Sequence, residues 1–168
     1  MKRVLITGMS GVGKSTVLNE LAARGCKTVD TDYGHWQECV SVNGAPEWVW
    51  HEERIRQLLA TEDAEVLFVS GTVSNQGKFY PQFDHVVLLS APTPVLLGRL
   101  ATRTNNPYGK APDELVRILG HIETVEPLLR RRATLEVDTS VPVDRVVETI
   151  LDHVRRRGAE GDDGASTR

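Results

Sequence analysis

The stretch Gly8-Met9-Ser10-Gly11-Val12-Gly13-Lys14-Ser15 fits the pattern G-x-x-x-x-G-K-[ST]. Residues 3–7, which precede it, are apolar and rich in β-branched side chains, and this predicts a buried strand. Residues 16–24, which follow it, place apolar side chains on one helical face, and Gly25 comes next as a stop signal. The pattern therefore lies between a predicted strand and a predicted helix, and this context indicates a phosphate-binding loop (P-loop).

The residue types of this loop suit the binding of a nucleotide. Glycines let the backbone bend so that N–H groups point at phosphate oxygens, and the helix N-terminus adds a partial positive charge. Lys14 can bridge the β- and γ-phosphates, and the Ser15 hydroxyl can ligate Mg²⁺. The alternative is a glycine-rich turn that binds nothing, and the motif, strand and helix together disfavour it. The positions expected to contact the nucleotide are Gly8, Ser10, Gly11, Val12, Gly13, Lys14, Ser15 and Thr16.

Composition limits the remaining classes of function. The chain has 168 residues, which predicts one domain, and its net charge of −3 gives no electrostatic case for nucleic acid or a membrane surface. Cys26 and Cys39 form neither a metal-binding spacing nor a disulfide framework, which indicates reduced thiols. No signal peptide and no apolar run near the ~20 residues of a membrane helix are recognised. We expect a cytoplasmic monomer or homodimer.

Two carboxylates follow the second predicted strand, residues 26–29, in the segment Asp30-Thr31-Asp32. Ligands of open parallel sheets bind at the carboxyl ends of the strands. Carboxylates two residues apart on an extended segment point to the same side, so both are expected beside the P-loop, where a metal ligand and a general base are needed. The alternative is turn chemistry that closes a strand. The neighbouring P-loop favours the functional interpretation.

The region after these aspartates is harder to interpret. Residues 33–45 are mixed and polar and predict a mobile connection, whereas residues 47–60 predict a helix. One face of this helix carries Trp50 and Arg54. If that face lines a substrate pocket, Trp50 stacks on the acceptor and Arg54 binds an anion. The alternative, a solvated face with one half-buried tryptophan, stays open.

A third strand is predicted at residues 65–70, followed by a glycine-containing loop. Gly71 would allow close approach of a substrate, and Thr72 would hydrogen-bond it. The acid that usually ends such a strand, the Walker B acid, is replaced by Ser70. This replacement gives the two aspartates more weight as metal-linked acids.

A fourth strand is predicted at residues 85–90 and a helix at about 94–103. Arg99 and Arg103 are four residues apart and share one face of this helix. The turn-rich stretch that follows predicts a lid at about residues 103–112, which would close over a nucleotide and bring a guanidinium to the transferred phosphoryl group. The alternative is a surface helix with salt-bridging arginines.

The rest of the chain completes one domain. Residues 113–129 have helical spacing, and residues 134–138 predict a fifth strand. Thr139 begins a turn at the carboxyl end of that strand, where a nucleotide base would lie. A final helix follows, and the small, polar residues 158–168 predict a disordered tail after a domain of residues 1–157.

This order of elements resembles the small-molecule kinases of the nucleoside-monophosphate-kinase fold. Shikimate and gluconate kinases look most similar, and adenylate kinases share the plan but carry a Gly-x-Pro-Arg segment that this sequence lacks. The resemblance covers most of residues 3–155 and rests on the P-loop, Asp30-Thr31-Asp32 and the lid arginines. It implies a three-layer α/β P-loop NTPase fold with a five-stranded parallel sheet and a short lid.

The resemblance also implies roles for individual residues. In shikimate kinases an Asp-x-Asp follows the second strand, so Asp30 would help to hold Mg²⁺ and Asp32 would orient or deprotonate the acceptor. Arg103 would match the lid arginine, and Arg54 the arginine of the substrate-binding helix. The sequence departs from that family at Gly71, where shikimate kinases carry three consecutive glycines.

The sequence therefore predicts ATP- and Mg²⁺-dependent phosphoryl transfer to a hydroxyl or phosphate of a small metabolite. Lys14, Asp32 and Arg103 are the expected catalytic residues. A nucleoside or nucleotide kinase, with a tryptophan stacked on the acceptor base, is an alternative. A nucleotide-binding regulatory switch is another, although the Asn-Lys-x-Asp and Asp-x-x-Gly elements of guanine-nucleotide switches are missing from the sequence.

Overall fold

The computed structural model describes residues 1–104 and 107–159. These residues form seven strands: β1 (Lys2–Gly8), β2 (Lys27–Asp30), β3 (Gln37–Val42), β4 (Ala45–Trp50), β5 (Val66–Ser70), β6 (His85–Ser90) and β7 (Leu135–Asp138). They also form a 3-10 helix at Gln76–Gln82 and six helices: α1 (Lys14–Ala23), α2 (Glu52–Leu59), α3 (Thr93–Thr102), α4 (Pro112–Thr124), α5 (Glu126–Arg132) and α6 (Val143–Ala159).

Five strands build one parallel sheet in the order β2-β5-β1-β6-β7. Successive side chains of the central strand point to opposite faces. Val4 and Ile6 pack with α1 and α6, whereas Leu5 packs with α2 on the other face. All three side chains are fully buried, and each such burial contributes about 1.5–3 kcal/mol. The predicted three-layer α/β fold with a five-stranded parallel sheet is confirmed.

A β-hairpin of β3 and β4 is the main difference from the prediction. Its turn is Asn43-Gly44, and both residues have positive φ, 52° and 80°, as a two-residue hairpin turn requires. The predicted mobile connection at 33–45 is wrong from residue 37 onward, and the predicted helix at 47–60 is wrong up to residue 51. The Asn-Gly pair between two runs with β-branched and aromatic residues is the hairpin signal that the helical interpretation overlooked.

Other predicted boundaries agree more closely. The long helical pattern of residues 113–129 divides into α4 and α5 next to Pro127, and α6 continues to Ala159. Residues 160–168 of the predicted tail and Asn105 and Asn106 of the predicted lid lie outside the described residues. In the ranges that the structure describes, no helix has the length and apolar character needed to cross a membrane.

Candidate active site

The P-loop connects β1 to α1 at the carboxyl edge of the sheet. A Cβ atom at Gly8 would lie 2.5 Å from the carbonyl oxygen of Leu89, so the backbones approach too closely for any other residue. Gly13, the residue before α1, has a φ of 100°, which favours glycine. These two positions let the loop turn tightly. The N-terminus of α1 thereby faces the cavity at the carboxyl edge of the sheet.

Lys14 extends back over this loop. Its Nζ donates hydrogen bonds to the carbonyl oxygens of Gly8, at 2.7 Å, and Met9, at 3.2 Å. Burial lowers the pKa of the Lys14 ammonium, and the nearby carboxylates of Asp32 and Asp30 oppose this effect. The loop therefore holds one cation next to two acids.

Asp30 lies beside the P-loop, as the position of β2 in the sheet led us to expect. The Ser15 hydroxyl donates to Asp30 Oδ2 at 2.6 Å. The other oxygen, Oδ1, accepts a hydrogen bond from the backbone N–H of Asp32 at 3.1 Å. Two oxygen groups suited to a hard cation, one from α1 and one from β2, thus meet at a single point.

Asp32 has a different environment from Asp30. Desolvation by the surrounding protein raises the pKa of the Asp32 carboxyl, and Asp30 adds to this effect. Lys14 and a hydrogen bond from Gln37 Nε2 to Asp32 Oδ1, 3.2 Å long, act in the opposite direction. A carboxylate with a raised pKa is a better proton acceptor than an ordinary aspartate.

Arg99 connects the P-loop to the turn after β7. Its guanidinium donates to the carbonyl oxygen of Val12 at 3.2 Å and to Thr139 Oγ1 at 2.9 Å. The Thr139 hydroxyl in turn donates to the Val12 carbonyl at 2.7 Å. Arg99 and Thr139, both predicted to contact nucleotide, therefore lie together at the outer side of the loop.

Arg103 follows directly after α3. Its Nη2 donates to the carbonyl oxygen of Tyr108, whereas its Nε is buried and has no hydrogen-bond partner among residues 1–104 and 107–159. Burial lowers the pKa of this guanidinium, and Tyr33 and Glu114 oppose the effect. A buried donor without a partner is costly, so Arg103 has a hydrogen bond to offer to a ligand.

Three adjoining cavities surround the P-loop. The phosphate cavity, about 450 Å³, is lined by Ser10, Gly11, Gly13, Lys14, Ser15, Thr16, Asp32, Tyr33, Arg99, Thr102 and Arg103. The inner cavity, about 210 Å³, is lined by Gly8, Met9, Ser10, Lys14, Asp32, Thr72, Tyr108, Ile118 and His121. The valine crevice, about 220 Å³, is lined by Val12, Gly13, Thr16, Val17, Arg99, Thr139, Val141, Val143 and Val146. Lys14 and Asp32 line both of the first two cavities and so stand at their boundary.

Trp50 does not contribute to any of these cavities. Its side chain has 0% exposure, lies 5.7 Å from Phe79 between ring centroids, and donates from Nε1 to Thr31 Oγ1 at 2.9 Å. The prediction that Trp50 stacks on a substrate is wrong, because strand β4 carries this side chain into the core. A Cβ atom at Gly71 would lie 2.5 Å from Thr31 Oγ1 and 3.0 Å from the indole, so Gly71 makes room for Trp50 rather than for a ligand.

The two remaining acceptor-side predictions differ in outcome. Thr72 donates its hydroxyl proton to the carbonyl oxygen of Gly8 at 2.7 Å and lines the inner cavity. Arg54 is exposed on α2 and donates from Nη1 to the carbonyl oxygen of His35 at 2.9 Å. It lines none of the three cavities around the P-loop. The structure does not bring Arg54 to the position expected of it.

The structure brings to the site several residues that the sequence did not predict there. Ile118 and His121 reach the inner cavity from α4, Tyr108 reaches it from the lid, and Gln37 holds Asp32 from the base of the hairpin. The three-residue spacing of Ile118 and His121 showed that they share a helix face. Nothing in the sequence indicated which part of the sheet that face would meet.

Among the residues described, no group of three or more His, Cys, Asp or Glu side chains is placed to hold a metal ion. A cation at Ser15 and Asp30 would therefore need further ligands from a nucleotide or from water, as Mg²⁺ commonly has.

Comparisons with known proteins agree with this architecture. A family model described as an AAA domain matches residues 4–120. No curated protein matches the chain. Among solved structures, the chain is similar to a shikimate kinase from Acinetobacter baumannii in complex with shikimate, with a TM-score of 0.65, 20% identity and coverage of 94% of each chain.

Two further solved structures are similar. A shikimate kinase from Bacteroides thetaiotaomicron has a TM-score of 0.63 and 18% identity, and the match covers 92% of this chain and 98% of that one. A gluconokinase from Sinorhizobium meliloti 1021 has a TM-score of 0.58 and 20% identity, with 98% of each chain covered. At these identities the likeness concerns the fold, and at that level the resemblance to P-loop small-molecule kinases is confirmed.

Proposed function

The chain belongs to the AAA domain family, and from this premise we propose that it is a phosphotransferase that uses ATP and Mg²⁺ to phosphorylate a small metabolite. The proposal rests on one observation above all. The 2.6 Å hydrogen bond between Ser15 and Asp30 brings the acid of β2 to the mouth of the P-loop, and Asp32 stands two residues away at the boundary of two cavities. A site with two separate cavities suits a reaction between two substrates.

The donor nucleotide would occupy the phosphate cavity and the valine crevice. The loop N–H groups and Lys14 would hold the phosphates, and the buried Nε of Arg103 would donate to one of their oxygens. The crevice is apolar apart from Arg99, Thr16 and Thr139, so it suits a base that is held by its faces. Thr139 thereby keeps the role expected from the sequence.

Mg²⁺ would bind between Ser15 and Asp30. The Ser15 hydroxyl and the Asp30 carboxylate are oxygen ligands of the kind that this ion prefers, and their close contact lets both reach one position. When bound, the ion neutralises charge on the phosphates.

Asp32 would act on the acceptor. From the boundary of the inner cavity it can accept a hydrogen bond from an acceptor hydroxyl and orient that oxygen toward the phosphoryl group. Its raised pKa favours acceptance of the hydroxyl proton as the reaction proceeds. Arg103 would stabilise the charge on the transferred group from the lid side.

An acceptor screen tests the proposal. The full-length protein is incubated with Mg²⁺ and ATP, and ADP is measured in the presence and absence of single metabolites that carry hydroxyl or phosphate groups. Release of ADP that depends on one metabolite, with matching appearance of its phosphorylated form, is the expected result. ATP binding without transfer to any acceptor would instead favour a nucleotide-binding regulatory switch.

The screen should include nucleosides and nucleotides, because a nucleoside or nucleotide kinase is the nearest alternative. That alternative drew on Trp36, Trp48 and Trp50 as partners for an acceptor base. Trp50 is in the core, so only the half-buried Trp36 and the exposed Trp48 still support it.

A further inference from the structure

The charges of the inner cavity limit what the acceptor can be. Among the described lining residues, Lys14 and Asp32 are the charged ones. The other polar side chains of the cavity are those of Ser10, Thr72, Tyr108 and His121. An anionic group taken out of water needs a paired cation or several charge-assisted hydrogen bonds. The identity of the cations within reach therefore decides whether an anionic acceptor fits.

Lys14 is not available for this task. Its Nζ is held at the loop by the carbonyl oxygens of Gly8 and Met9, at 2.7 and 3.2 Å. Under the proposed function it serves the phosphates of the donor. Asp32, on the acceptor side of the same boundary, would repel a second negative charge.

Three arginines of this region have partners or roles outside the inner cavity. Arg54 donates to the carbonyl oxygen of His35, and Arg99 donates to the P-loop and to Thr139. Arg103 donates from Nη2 to the carbonyl oxygen of Tyr108, and under the proposed function its buried Nε serves the donor phosphates. In the part of the chain that the structure describes, none of these three guanidinium groups lines the inner cavity. The two lid residues outside the described ranges, Asn105 and Asn106, are uncharged.

The groups that remain suit a neutral molecule. The hydroxyls of Ser10 and Thr72 and the His121 imidazole can each exchange hydrogen bonds with hydroxyl groups. Met9 and Ile118 offer apolar contact to a short carbon skeleton. We infer that the acceptor is a small, uncharged hydroxyl compound of the polyol or sugar class, and that His121 helps to select it. This inference rests on the proposed kinase function.

Matched pairs of acceptors test the inference. Each pair shares a carbon skeleton and differs in charge: glycerol with glycerate, glucose with gluconate, ribose with ribose 5-phosphate. Acceptor-dependent ADP release is measured with the full-length protein, Mg²⁺ and ATP, and kcat/KM is compared within each pair. We expect a neutral member to be used with kcat/KM about tenfold or more above that of its anionic partner.

A charge added at position 121 provides the second measurement. His121→Arg places a guanidinium in the inner cavity and should raise kcat/KM for the anionic member of the pair about tenfold relative to the neutral one. Val116→Arg is the matched control, because Val116 is 69% exposed on the same helix and does not line the cavity. The control should leave the ratio unchanged, whereas a general effect of added positive charge would shift both variants alike.

The outcomes separate the inference from its premise. A wild-type preference for the anionic members, or an equal shift in both arginine variants, overturns the inference and leaves the kinase proposal standing. If no compound of any pair gives acceptor-dependent ADP release but another metabolite of the acceptor screen does, the inference fails and the kinase proposal stands. If no metabolite of the screen gives it, the kinase proposal and the inference fail together.

Discussion

The P-loop and the β3–β4 hairpin flank the same two aspartates but are built in opposite ways. The loop is one stretch of eight residues, Gly8 to Ser15, whose own backbone and helix provide its geometry. The hairpin is held by residues distant in the sequence: Trp50 is hydrogen-bonded to Thr31 and to Asn75, which lie 19 and 25 positions away. The donor side of this site is therefore a local property of the sequence, whereas the acceptor side depends on tertiary packing.

Trp50 links the hairpin to the neighbouring segments by hydrogen bonds. Its indole N–H donates to Thr31 Oγ1, and the Thr31 hydroxyl donates to the carbonyl oxygen of Ser70 at 2.6 Å. The Asn75 side chain accepts from the Trp50 N–H and donates to the Trp50 carbonyl, both at 3.0 Å. Thr31 lies between Asp30 and Asp32, so the hairpin supports the segment that carries both carboxylates.

Replacement of Trp50 should have the largest effect and tests whether the hairpin is part of the core. Trp50→Ala removes a fully buried side chain and should lower the free energy of unfolding by about 3–5 kcal/mol. Trp48→Ala is the matched control on the same strand, where 63% exposure predicts a change within about 0.5 kcal/mol. Urea unfolding measures the free energy of unfolding of both variants. A loss for the Trp50 variant as small as that for the Trp48 variant would mean that the hairpin is not part of the core.

The second largest effect is expected from removal of the Lys14 ammonium in the P-loop. Lys14→Ala removes the ammonium next to the phosphate cavity and should lower turnover about 10²–10³-fold without a comparable loss of stability. Lys78→Ala is the control, since Lys78 is exposed and paired with Glu52 at 3.0 Å. Steady-state ADP release is the measurement. Near wild-type turnover of the Lys14 variant would show that the P-loop ammonium is not needed for the reaction on the donor side.

The features that the sequence predicts follow the same division. The P-loop and the five parallel strands are predictable because contiguous apolar runs and fixed glycine spacing express local physics. The hairpin is not, because Trp50 and Arg54 also fit a helical spacing and the Asn43-Gly44 turn also fits a flexible connection. His121 is not predicted from the sequence, since the packing of α4 near Met9 and Gly109 brings it to the cavity.

Asp32 stands where the two sides meet, and its replacement shows to which side it belongs. Asp32→Asn keeps the shape and removes the proton acceptor, so turnover should fall about 10²-fold. The dissociation constant of Mg²⁺·ATP, measured by calorimetry, should change less than about threefold, because Lys14 and the loop amides remain. Equal losses in turnover and in ATP affinity would assign Asp32 to the donor side.

Thr31 tests how the hairpin acts on the aspartates. Thr31→Val keeps the volume but leaves the indole N–H of Trp50 without its acceptor, which should cost about 1–3 kcal/mol of unfolding free energy. Thr31→Ser retains the hydroxyl and serves as the control. We expect kcat to fall in the valine variant and to recover in the serine variant. A purely structural role of Thr31 would leave kcat of the folded protein unchanged.

The smallest effect concerns the protonation of Asp32. Its pKa is raised in the folded protein, chiefly by desolvation, so the folded state binds this proton more tightly than the unfolded state does. The ionised carboxylate therefore destabilises the fold above the folded-state pKa, and this cost disappears as the pH falls through that pKa toward the ordinary aspartate value of about 3.9. Asp32→Asn never ionises and should be slightly more stable than wild type at neutral pH. The difference in urea midpoint between the two proteins should narrow on acidification, and a difference that widens would show that Lys14 and Gln37 outweigh desolvation at this carboxylate.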